Sequence, residues 1–133
     1  MKNDNQGSSG GLTIEDFEDD AIDAELRGFE VVPGTPTTLL IDLDTSEAKE
    51  RFRTYFPRIQ RHYGLTVVSR LPSKTPGHEH VTVSTDRPLA VPERLLLATC
   101  LGGDPMVAVM GLRRFENGVE NPCRFFRPKR VSP

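Results

Sequence analysis

The chain has 133 residues, enough for one domain with a modest core, and a formal net charge of −2. Its two cysteines, Cys100 and Cys123, are too few for a disulfide framework and do not form a Cys-x-x-Cys pair. The longest apolar run, Leu95 to Leu101, is broken by Thr99 and is too short to span a bilayer. Together with a polar, Gly/Ser-rich start, this predicts a soluble, cytoplasmic protein with no membrane contact.

Charge is unevenly spread. Residues 1–30 hold nine acids against Lys2 and Arg27, whereas the rest of the chain holds 15 bases and 10 acids. An acidic head on a basic body suits a polyanionic partner for the body. The head would then shield that surface or dock a basic protein partner.

Residues 1–11 carry almost nothing to bury and read as a disordered tail. Ile14, Phe17, Ala21, Ile22 and Leu26 recur at helical spacing among acids, and Gly28 suits the stop. Residues 12–36 are therefore an acidic helix and a linker, with Val32 to Pro36 as the turn. Residues 37–128 form the main domain and 129–133 a basic tail.

Thr38 to Leu43 alternates as a strand. Asp44 then reads as an N-cap with Glu47 as its capping-box partner. Ala48, Phe52, Tyr55, Phe56, Ile59 and Tyr63 form a helical stripe closed by Gly64. Pro57 inside it predicts a kink or a split. Leu65 to Leu71 and Glu79 to Ser84 read as a hairpin. Pro92 opens a helix over 93–101. Asp104-Pro105 starts either a helix or a buried strand through Phe115. Asn117-Gly118 is a turn, and 123–127 a last short strand.

The order is that of a ferredoxin-like or RRM-like α+β domain: a single sheet with helices on one face, behind an acidic N-terminal helix. The expected core is Leu39, Ile41, Leu43, Phe52, Phe56, Ile59, Val67, Val81, Val83 and Leu96. Phe125 and Phe126 are adjacent, so period two buries one and exposes the other.

Asp42 and Asp44 close an apolar strand on one face, roughly 7 Å apart by strand geometry. Two such carboxylates can share divalent cations, Mg²⁺ or Mn²⁺. The plain alternative is a cap and a surface residue. His78 and His80 also share a strand face, which suits a solvated pair or, with a cysteine, a zinc site.

The text Leu39-Leu40-Ile41-Asp42-Leu43-Asp44, then Ser73, Gly77, His80 and Val81, then Asp104 with Arg113 and Arg114, resembles the three motifs of the archaeo-eukaryotic primase–polymerase superfamily. The resemblance covers roughly residues 38–115. It implies an RRM-like sheet and metal-dependent nucleotidyl transfer in phage or mobile-element DNA replication, in the host cytoplasm. It makes Asp42, Asp44 and Asp104 catalytic, with Asp42 and Asp44 on the metal and Asp86 as a rival to Asp104. Ser73, Lys74, Gly77, His80, Arg113 and Arg114 would hold the nucleotide. From the residues themselves, Arg53 and Arg61 on the first long helix are candidates to meet nucleic acid. So is the basic and aromatic end, Arg124, Phe126, Arg127, Lys129 and Arg130. The alternative function is a non-catalytic RRM-like module that binds nucleic acid, a replication protein or a host protein.

Overall fold

A computed structural model describes residues 12–73 and 75–129. The expectations for residues 1–11, for Lys74 and for Arg130 lie outside these described residues. Among them the chain is α+β, with four helices and two small antiparallel sheets.

Helix α1 (Ile14–Leu26) starts where Thr13 Oγ1 accepts a hydrogen bond from Asp16 N. Strand β1 (Phe29–Pro33) follows. The sequence reads the end of this segment as a turn, because Pro33, Gly34 and Pro36 are turn residues. What makes it a strand is a distant partner, β5 (Arg124–Pro128), paired antiparallel from Phe29 opposite Pro128 to Pro33 opposite Arg124. The expected single sheet is therefore two.

The larger sheet holds β2 (Thr38–Leu43), β3 (Thr66–Pro72) and β4 (Glu79–Ser84) in the order β2-β4-β3. β4 runs antiparallel to both neighbours, so β2 and β3 point the same way and are joined by α2 (Ser46–Tyr63). Thr45, not Asp44, caps α2: its Oγ1 accepts from Ala48 N at 3.0 Å. Asp44 is thereby left for other contacts. The helix continues through Pro57. Phe52 on one side of the proline and Ile59 and Tyr63 on the other all pack on the same core, which holds both halves in line. Gly64 ends it in the left-handed region, φ 57°.

Leu39, Ile41 and Leu43 alternate into the core opposite Val83 and Val81, and α2 and α3 (Val91–Cys100) cover that face through Phe52, Leu97 and Leu101. Each such side chain contributes about 1.5–3 kcal/mol on burial. Two expected core residues are exposed. Val67 is 37% accessible because β3 is an edge strand with a register shift between Val67 and Ser69. Leu96 is 62% accessible because α3 buries Val91, Arg94, Leu95 and Leu97, which turns Leu96 outward.

The segment after Asp104 is a helix, α4 (Pro105–Glu116), capped by Asp104. It packs on α3 at Gly111, where an added Cβ would meet the Leu95 methyls at 3.1 Å. Phe125 is buried and Phe126 exposed, as period two requires.

Candidate functional site: the aspartate–histidine face and its cleft

The β2–β4 register sets Asp42 directly opposite His80, on the face away from the core. His80 Nε2 lies 2.9 Å from Asp42 Oδ1, and His78 Nδ1 lies 3.1 Å from Asp44 Oδ1. The Asp-x-Asp and His-x-His patterns thus meet as two cross-strand pairs. Asp42 Oδ1 is sealed from water, and the imidazole contact is close without the alignment of a hydrogen bond. The Phe125 ring stacks on His80, centroids 4.2 Å apart and planes 5° apart. That fixes the imidazole against the strand.

The two pairs bear directly on the metal expectation. Each carboxylate faces its own imidazole instead of sharing a cation with the other. Among the described residues no group of three or more His, Cys, Asp or Glu is placed to hold a metal ion. Asp42 and Asp44 thus stand as two separate carboxylate–imidazole pairs, and a cation held by both would have to compete with His80 and His78 for them.

The other candidates divide. Asp104 caps α4 by accepting from Met106 N at 2.9 Å, yet it borders the same cleft as Asp42 and Arg114. Its rival Asp86 pairs with Arg87 and sits beside Gly64, past the end of β4 remote from His80. Arg113 is turned outward and pairs with Glu116. Ser73 Oγ accepts from Thr75 N, and Gly77 at φ 85° shapes the same turn, so both have local roles. Arg53 pairs with Glu50 on the exposed side of α2, and Arg61 is exposed further along it.

Basic candidates on β5, just past it and on α4 face acids from the head. Arg127 Nη2 lies 2.7 Å from Glu30, Lys129 Nζ 2.9 Å from Glu25, and Arg114 Nη2 3.8 Å from Asp20. The Arg124 guanidinium stands 3.5 Å from the Phe17 ring centre and 4.7 Å from that of Phe126. Burial, then the charge of Arg114, lowers its pKa to about 10, with Asp20 pulling the other way. The acidic head is thus laid against the basic strand.

Sequence reading missed Arg94, which is 5% accessible on α3. A lone arginine in an otherwise apolar helix stripe, Val91-Pro92-Glu93-Arg94-Leu95, is the signal that would have found it. No helix among the described residues is long and apolar enough to cross a membrane. Comparison with protein-family models, with curated proteins and with solved structures gave no match.

Proposed function

We propose that this chain is a non-catalytic module that binds single-stranded nucleic acid through β5. The observation that carries the reading is Phe126, exposed on a strand that also bears Arg124 and Arg127 and is followed by Lys129, with the Arg124 guanidinium against its ring. A base can stack on such a ring while the phosphates meet the cations. The β2-α2-β3-β4 order, followed by helices and a last strand, is compatible with an RRM-like plan in which the last strand has moved to β1. The acids of α1 and β1 act as an internal competitor for the phosphates.

Anisotropy of a labelled single-stranded oligonucleotide tests this. Affinity should fall steeply with salt. Phe126→Ala should lose about 1–3 kcal/mol per stacked base. Replacing Asp20 and Asp23 by Asn and Glu25 by Gln should raise affinity at low salt. That substitution is cleaner than deleting residues 1–30, which would cut into β1. No binding at low salt, or an unchanged Phe126→Ala variant, overturns the proposal.

A second reading, the metal-dependent primase–polymerase-like nucleotidyltransferase of phage or mobile-element replication, draws support from Asp42, Asp104 and Arg114 bordering one cleft. The imidazole pairing weighs against it. Calorimetric titration with Mn²⁺ and a nucleoside triphosphate should give no binding, or equal binding by wild type and Asp42→Asn. Binding that only the wild type shows would restore the enzyme.

A further inference from the structure

Between the free edge of β2, the helices α3 and α4, and β5 lies a cavity of about 230 Å³. Its walls are mostly apolar, with Leu40, Leu95, Ala108 and Phe125 among them. Ala108 and Gly111 on α4 keep it open, because a larger side chain at Ala108 would fill it. This volume falls below the range of drug-sized pockets, so it suits a small molecule.

Arg94 gives the cavity its polarity. Its side chain is almost wholly buried, and it borders the cavity. Nε donates to Leu89 O, and Nη1 donates to Thr35 O and to Asn121 Oδ1. Among the described residues Nη2 makes no hydrogen bond, and no carboxylate lies within ion-pair distance of the guanidinium. A buried cation is normally paired with an anion. Of the acids that share the cavity, Asp20 faces Arg114 and Asp104 caps the first turn of α4, while Asp42 faces His80 with its sealed Oδ1 making no aligned hydrogen bond. The field of Arg94 reaches the half-buried Cys123, another wall residue. Burial raises that thiol's pKa and the Arg94 charge draws it back down. Arg114 and Arg124 stand at the same cavity and add positive potential. The cavity is thus apolar in body, with Arg94, Arg114 and Arg124 set among Asp20, Asp42 and Asp104, and among the described residues Arg94 Nη2 carries a donor pair that no protein group takes.

We propose that this cavity is a binding site for a small organic anion, whose carboxylate or phosphate group meets Arg94 Nη2 while an aliphatic or single-ring body lies against Leu40, Leu95 and Ala108. This does not depend on nucleic-acid binding by β5, since, although Arg124 and Phe126 also line the cavity, the site turns on Arg94, Leu40, Leu95 and Ala108.

The test uses the full chain labelled with ¹⁵N, titrated separately with hexanoate, phenyl phosphate and the neutral analogue hexanol. Saturable shifts at the Leu40, Leu95 and Ala108 amides and at Arg94 Nε–H are expected with one or both anions at millimolar concentration. The tighter of the two tells carboxylate from phosphate. Hexanol should bind at least about tenfold more weakly, the equivalent of ~1.4 kcal/mol. Ala108→Leu should abolish anion binding while melting no lower than wild type, because the new side chain fills existing space. That melting measurement separates a blocked site from a misfolded one. Arg94→Lys keeps the charge but loses the planar fork, and should weaken both anions while sparing hexanol. The proposal is overturned by the absence of saturable shifts with both anions, by hexanol binding as tightly as they do, or by undiminished binding in a folded Ala108→Leu variant.

Discussion

Gly102→Ala is expected to destabilise this fold by about 3 kcal/mol or more, seen as a lowered urea midpoint with an unchanged slope. Two independent costs add. Gly102 sits at φ 114°, where a side chain carries a penalty of about 1–3 kcal/mol. The new methyl would also stand 2.5 Å from Ala48 O and 2.8 Å from Leu43 Cδ2. The first neighbour is helix backbone in the opening turn of α2, and the second is a fully buried side chain. Gly77→Ala is the control. It has a comparable φ of 85°, but no atom of the described residues lies within 4 Å of the added carbon. The difference between the two variants is the cost of the clash. A Gly102→Ala loss no greater than that of Gly77→Ala would mean that the α3–α4 connection yields freely.

What was legible in the chain is what is local. Strand β2 and strand β4 have their expected bounds, because Leu39, Ile41, Leu43, Val81 and Val83 fall on one face with period two, Leu40 being the one apolar residue between them. Gly64 marks the end of α2 because only a residue tolerant of positive φ ends a helix that way. Asp104 before a proline reads as a cap whatever follows it. The smaller misses are local, such as the α2 cap shifting from Asp44 to Thr45, and the larger failures are non-local. β1 exists because β5 pairs with it from nearly a hundred residues away, and nothing within Phe29–Pro33 encodes that. Val67 has core chemistry, but the register shift beside it and the lack of a further strand leave it in water.

The site follows the same division. That Asp42 and Asp44 share a face was readable from period two. That each would be met by a histidine required the β2–β4 register, which no local pattern supplies. The same residues that make a metal motif in sequence therefore make two carboxylate–imidazole contacts in space. The role of Arg94, though flagged by its place in an apolar run, was hidden for a related reason. Its burial is fixed by carbonyls of Thr35 and Leu89 and by Asn121, three groups scattered along the chain.

Leu43→Ala carries the second large effect, and its value lies in combination with Gly102→Ala. Leu43 is fully buried at the end of β2, so truncation alone should cost about 2–5 kcal/mol, from lost transfer energy and from the cavity left behind. That cavity opens where the Gly102→Ala methyl needs room, since Leu43 Cδ2 is one of its two close neighbours. The double variant should therefore lose less than the two single losses together, with a coupling of roughly 0.5–3 kcal/mol. Coupling cannot be complete, because Ala48 O remains in place and the backbone at φ 114° is still strained. Urea denaturation of all four proteins measures it. Strict additivity would show that the Leu43 side chain swings aside at no cost in the single variant, which the close packing of a residue with no accessible surface argues against.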